Sequence, residues 1–281
     1  MTDAETPSGK GASDENFPVG SFLLPRHLRP HVAVYYAFAR AIDDIADNPH
    51  LPAAEKVARL DGFAEAVRGN NRDPAYAKAH AMRRSLAETG ITDRHCTDLI
   101  SAFKQDAVKN RYESWKELID YCDRSASPVG RYLLDLHGED PAGYAQSDAL
   151  CNALQVINHL QDCADDYAEM DRVYLPQIWM RKARAATGDL SLPATPPTLR
   201  RVMDQTLEGV EGLLKDARQL PGVLKSRRLA MESAVIIRVA DRLTARLWRE
   251  DPIATRVELK KPAAMACAAM GVADVLLGRK R

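Results

Sequence analysis

An all-α protein in a single domain is the fold this sequence predicts, on three observations. Hydrophobic residues make up 46% of the 281 residues and aromatics only 6%, and Ala, Leu and Arg recur throughout, a mixture that favours helices over strands. Apolar residues recur at helical spacing in long segments punctuated by Pro and Gly. Outside these segments no strand-like alternation survives, no repeat is visible, and no shift in composition marks a linker.

Taken in order, the segments begin with a helix over Arg29–Ala46, stopped by Asn48-Pro49. A second runs over Ala53–Val67 and ends at Gly69-Asn70-Asn71. Helices over Pro74–Thr89 and Asp93–Val108 follow, then a long one over Trp115–Leu136 closed by Gly138. Ala149–Tyr167 and Leu175–Ala186 come next, before a Pro-rich stretch around Leu192–Pro197. The last three are Thr198–Leu220, Lys225–Glu250 and Lys261–Leu277. Met1 to about Glu15 is polar, contains Gly and Ser, and has no apolar signal core, so residues 1–15 are expected to be a flexible tail before a domain over 16–281.

Composition excludes several classes of function. Lys plus Arg and Asp plus Glu are equal at 39 each, so no global basic field exists to gather nucleic acid. The five cysteines form no C-x-x-C pair and are odd in number, which argues against a zinc site or a disulfide framework and for small buried hydrophobes in a reducing compartment. The longest apolar stretch, Pro262–Leu277, is shorter than the roughly 20 residues of a membrane span and contains Asp274, so it is read as a core helix. A cytoplasmic protein is expected, peripheral to a membrane at most.

Chemistry concentrates in two segments. In Tyr35–Asp47, Arg40, Asp43, Asp44 and Asp47 fall at i, i+3, i+4 and i+7 on one helix face, and Tyr36 shares it. Two carboxylates about 4 Å apart oppose each other by roughly 4 kcal/mol at an effective dielectric near 20. Asp is also a poor residue inside a helix. These costs call for either a compensating cation or simple exposure to water. In Gln155–Tyr167, Gln155, Asn158, Asp162 and Asp166 share another face, with Asp165 alongside. Oxygen-only ligands of this kind suit Mg2+, which keeps waters and recruits substrate phosphates. Spacing alone leaves both readings open, a solvated surface or a pair of faces opposed across a cavity.

The sequence resembles the squalene/phytoene synthase family on four blocks in the expected order. Arg40-x-x-Asp43-Asp44-x-x-Asp47 is similar to the family's first Asp-rich motif, and Asn158, Asp162 and Asp166, with Gln155 one turn earlier, are similar to its other one. Tyr121-Cys122-Asp123-Arg124-Ser125-Ala126-Ser127-Pro128-Val129-Gly130 is similar to the family's tyrosine block, and Arg172-Val173-Tyr174-Leu175-Pro176 to another hallmark. The resemblance implies the isoprenoid synthase type of helical bundle around a central cavity, with 16–281 as the catalytic domain. Glu15–Ser21, the Ser-Ala-Ser-Pro-Val-Gly form of the tyrosine block and Asn158-His159-Leu160-Gln161-Asp162 favour the branch that converts presqualene diphosphate to hydroxysqualene in bacterial hopanoid biosynthesis. Many condensing members carry Arg where Gln161 stands. The loss of that cation is expected to disfavour handling two prenyl diphosphates at once.

That resemblance implies Mg2+ held by Asp43, Asp44, Asp47, Asn158, Asp162 and Asp166, and diphosphate held by Arg40, Gln155, Asn16, Arg256 and Lys261. Tyr121 would sit near the reacting carbons, with Tyr174 and Tyr36 as neighbours, stabilising positive charge or orienting water. NADPH is not expected. The partners implied are presqualene diphosphate, the enzyme that makes it, and a membrane touched transiently to collect a greasy substrate. Condensation to presqualene diphosphate or phytoene is the alternative, since it would use the same acidic faces. A di-iron carboxylate bundle is set aside because no Glu-x-x-His pair is present. His159 lacks a pairing that suggests nucleophilic catalysis and is read as a core or surface residue.

Overall fold

The computed structural model of the chain describes residues 4, 5 and 23–278. Its helices are α1 (Arg29–Asp47), α2 (Ala53–Arg68), α3 (Ala77–Thr89), α4 (Arg94–Asp106), α5 (Trp115–Ser125), α6 (Ser127–Leu136) and α7 (Tyr144–Gln161). They continue with α8 (Cys163–Met170), α9 (Gln177–Ala183), α10 (Pro197–Ala217), α11 (Leu220–Val223), α12 (Arg227–Leu247) and α13 (Lys261–Leu276). Among the described residues, pairing of the β type is confined to an isolated bridge between Arg111 and Val173. The all-α expectation holds.

Two of the expected helices are each a pair. The run over Trp115–Leu136 leaves helical geometry at Ala126 (φ −123°, ψ −48°), because Pro128 has no N–H to donate and is tolerated only in the first turn of a new helix, α6. The run over Ala149–Tyr167 starts earlier, at Tyr144, and bends at Asp162 (φ −105°, ψ 7°). The ladder is interrupted there: Asp162 N–H reaches Asn158 O at 2.9 Å and Asp166 N–H reaches Asp162 O at 2.8 Å, but Asp162 itself belongs to neither helix. Leu175–Ala186 shortens to α9, which begins after Pro176 and ends where Arg184 turns left-handed at φ 58°.

Two apolar clusters make the core. One gathers Phe38 and Ile42 of α1, Phe63 of α2, Met82 of α3, Leu99 of α4 and Tyr132 of α6. The other gathers Leu118 of α5, Ile157 of α7, Val202 and Leu207 of α10 and Leu243 of α12. Helix α7 packs against α5, α6, α10 and α12, and so runs through the middle. Within residues 1–15 the two described residues make contacts: Glu5 pairs with Lys78 at 2.8 Å and Ala4 O accepts from Arg59 at 3.4 Å. The five thiols are free, and all but Cys151 are buried.

Helix α13 lies along α12 as a core-contacting helix. Asp274 is 6% exposed and accepts from Arg238 Nε at 2.7 Å, so its charge is paired inside the contact. Met265, Met270, Leu276 and Leu277 face outward. No helix among the described residues is long and apolar enough to cross a membrane. The two backbones touch at Gly271, where a Cβ would stand 2.6 Å from Val235 N and 2.7 Å from its Cα. Gly271→Ala is therefore expected to cost about 1–3 kcal/mol by overpacking, seen as a lower melting temperature by circular dichroism.

Candidate active site

The polar face of α1 is built around Arg40. Its Nε and Nη2 donate to Asp44 Oδ1 at 2.9 and 2.8 Å, and Nη1 stands 3.2 Å from Asp43 Oδ2. Asp44 is only 7% exposed, so its structural role here is to fix the guanidinium one turn away. Half-buried Tyr36 precedes Arg40 by one turn. Burial holds the Asp43 carboxyl well above the ordinary range, the negative charge of Asp47 raises it further, and Arg40 opposes both.

The other acidic face spans the bend. Gln155 and Asn158 lie on α7, Asp162 at the bend and Asp166 on α8. Asp162 receives Arg256 in a two-pronged contact, Nε to Oδ1 at 2.6 Å and Nη2 to Oδ2 at 3.2 Å. Burial pushes the Asp166 carboxyl up to about 8, followed by repulsion from Asp162 and then from Asp47 across the cleft. That last influence places the two acidic faces within electrostatic reach of each other. Among the described residues no three Asp, Glu, His or Cys side chains are gathered as a metal cage. Instead arginines take the carboxylates, Arg40 on α1, Arg256 on Asp162 and Arg172 on Asp47 at 2.5 Å. The donors are hard oxygens, and Asp43 and Asp166 carry carboxyls that resist ionisation until more positive charge arrives, a set that fits a magnesium ion. Lys261 is exposed at the start of α13 and makes no ion pair with these acids among the described residues. Asn16 lies outside the described residues.

Gln161 does not leave its motif short of positive charge, because its contact brings a cation from elsewhere in the chain. The side chain is 2% exposed and donates to Val257 O, which anchors the segment carrying Arg256 against Asp162. A cation therefore stands beside the motif, delivered from the far end of the chain.

Behind the acids lies a buried network that sequence reasoning missed. Arg172, 6% exposed, also donates from Nη2 to Ala46 O and to Asp106 O, both at 3.3 Å. Asp106 accepts from the Tyr121 hydroxyl at 2.7 Å, and its Oδ1 is buried without a hydrogen-bond partner. Burial pushes the Asp106 carboxyl up to about 7 against the pull of Arg172 and Tyr121. A signal for Asp106 existed, because it continues the buried stripe of Leu99 and Ala102 at helical spacing. Rings then stack in a row. Tyr121 lies 5.9 Å from Tyr174 between centroids, and Tyr174 lies 3.6 Å from His159 at 3° between planes. Gln155 Nε2 meets His159 Nε2 at 3.0 Å, so Gln155 serves the imidazole. Burial, then the charge of Arg172, lowers the His159 pKa to about 3, which keeps the ring neutral. Arg172, His159 and Tyr174 line a small cavity together with Val156, Leu190 and Thr206, of about 10 Å³.

An all-helical bundle with two Asp-bearing helix faces joined by arginines and backed by stacked tyrosines defines a protein of the isoprenoid synthase class. The family model described as squalene/phytoene synthase matches residues 11–263, and the chain belongs to that family. The hydroxysqualene synthase of Rhodopseudomonas palustris is 44% identical, covering 92% of this chain and 89% of that protein. The hydroxysqualene synthase of Zymomonas mobilis is 40% identical, covering 96% and 91%. The crystal structure of squalene synthase HpnC from Alicyclobacillus acidocaldarius superposes with a TM-score of 0.72 at 30% identity, over 82% of this chain and 87% of that one.

Asp106 offers a check on the buried network. Its folded value of about 7 exceeds the ordinary 3.8, so between about pH 4 and 7 the folded protein keeps a proton that the unfolded chain has lost. Stability thus falls as pH rises through that window and levels off above it. Asp106→Asn should remove this slope relative to wild type, a difference of at most on the order of 4 kcal/mol, read from urea denaturation at pH 4.5 and 7.5.

Proposed function

We propose that this protein converts presqualene diphosphate to hydroxysqualene, by magnesium-dependent ionisation and capture of the cation by water. The near-full-length likeness to two hydroxysqualene synthases carries the reading. Asp43, Asp47, Asn158, Asp162 and Asp166 would hold the magnesium, which when bound neutralises and polarises the leaving diphosphate as a Lewis acid. The all-oxygen donor set and the raised carboxyls of Asp43 and Asp166 support that assignment. Arg40, Arg172 and Arg256 already point at the acidic cleft, and their planar forks can pass from carboxylate to phosphate oxygens as substrate arrives. Tyr121 and Tyr174 present ring faces to the developing cation, while the apolar walls exclude stray nucleophiles. Water capture is redox-neutral, so NADPH has no part in it.

A greasy substrate also calls for a source. The outward Met265, Met270, Leu276 and Leu277 on α13, with Lys260 and Lys261 at its start, support contact with a bilayer surface, where the enzyme that supplies presqualene diphosphate would hand over its product. Flotation with anionic vesicles should carry the wild type upward and leave Met265→Glu/Met270→Glu behind.

Mass spectrometry of products from presqualene diphosphate and Mg2+, without NADPH, tests the reaction itself. Hydroxysqualene is expected, with a loss on the order of 100-fold in Asp162→Ala. Mg2+ with a diphosphate analogue should stabilise the wild type by about 2.7 kcal/mol at a hundred times its Kd, and the variant much less. A folded wild type that ignores presqualene diphosphate but joins two prenyl diphosphates would return the condensing alternative.

A further inference from the structure

We propose that His159 holds the water molecule that captures the carbocation; this rests on the function proposed above and assigns the group that delivers its nucleophile. His159 is 8% exposed, and its Nδ1 is buried without a hydrogen-bond partner. A buried ring nitrogen left unmatched costs about 1–3 kcal/mol, so its persistence calls for a partner that arrives with function. The other ring nitrogen is already engaged by Gln155 at 3.0 Å, and the ring plane is fixed by Tyr174 at 3.6 Å. The imidazole therefore has one orientation and one open valence.

The cavity beside it is the right size. Its volume of about 10 Å³ stands at the lower limit for one water, and Arg172 and Thr206 supply further polar atoms among apolar walls. The place is also right, because Arg172 on that wall reaches Asp47 of the acidic face and Tyr174 stacks toward Tyr121. The tautomer follows from the Gln155 contact: the Gln155 amide nitrogen donates to Nε2, so the neutral ring carries its proton on Nδ1, which donates to the water oxygen.

The bonding closes without another reactant. The carbon–oxygen bond to diphosphate breaks and its electron pair leaves with the diphosphate. The cation left behind rearranges as the strained carbon–carbon bonds of the substrate's cyclopropane shift and open, moving the positive charge along the chain. The held water then forms the new carbon–oxygen bond from a lone pair, and the oxonium proton passes to the released diphosphate. An unheld water competes poorly with proton loss from the cation, which ends in a hydrocarbon instead of an alcohol.

The test measures hydroxysqualene formed per diphosphate released, for wild type, His159→Phe and His159→Asn. Phe keeps a flat ring on Tyr174 without a polar atom, whereas Asn keeps a polar atom near the Nδ1 position. The ratio should fall about tenfold or more in His159→Phe, with hydrocarbons making up the difference, and recover in His159→Asn. If His159→Phe does not fold by circular dichroism, His159→Leu takes its place with the same reading. A wild-type ratio in the apolar variant overturns the role of His159 alone. A wild type that makes no hydroxysqualene overturns this role together with the function it rests on.

Discussion

The guanidinium of Arg172 is the contact on which the site depends. It joins the end of α1, through Asp47 and the Ala46 carbonyl, to the end of α4, through the Asp106 carbonyl. Its own backbone N–H donates to Asp166 O at 3.1 Å, and the Arg111–Val173 bridge clamps the next residue in place. Three stretches far apart in sequence are thereby drawn to one point, at the seam of the two apolar clusters. Burying such a cation is costly, and removing one partner of a buried pair typically leaves a penalty of about 3–5 kcal/mol. Arginine suits the position because it stays charged and offers several donors in a fixed plane.

Around that point the protein balances charge in a way that can be exchanged. Each acidic face carries an arginine of its own, Arg40 or Arg256, and Arg172 lies between them. The carboxylates are thus kept from repelling one another without being used up, because an ion pair at a partly open site is worth little against a multivalent competitor. Under the proposed function a divalent cation would displace the arginines from the acids and leave them to grip phosphate. Overall neutrality, 39 basic against 39 acidic residues, means this exchange does not work against a large background field.

Much of this was legible in the sequence, and the losses have physical causes. The α1 face was readable because helix geometry maps the spacing of Arg40, Asp43, Asp44 and Asp47 directly onto one surface. That Asp44 turns to Arg40 was not, because pairing and metal binding use the same i, i+4 spacing. The acidic face on α7 and α8 was readable from its spacing, but its bend at Asp162 was hidden, since no Pro or Gly marks it. The part Gln161 plays in holding the Arg256 segment was not readable, because it depends on Val257, which is 96 residues away. Arg172 was quoted within a motif and passed over as a site residue, because Asp47 lies 125 residues off and nothing local announces the pair. His159 has the sequence context of a core residue and is one; only its unmatched nitrogen and the adjoining cavity, both products of packing, single it out.

The small cavity has a thermodynamic corollary. On the proposed function a long prenyl chain could share this space, about 10 Å³ as it stands, only if its walls part. Binding is then coupled to an opening equilibrium, and the apparent dissociation constant is the intrinsic one divided by the fraction of molecules that stand open. Tight packing of Tyr174 on His159 keeps that fraction small. On that reading the packing that sets the ring in register for chemistry would also hold substrate affinity down, so that ground-state binding and control of the cation would be opposed through a single stacked pair.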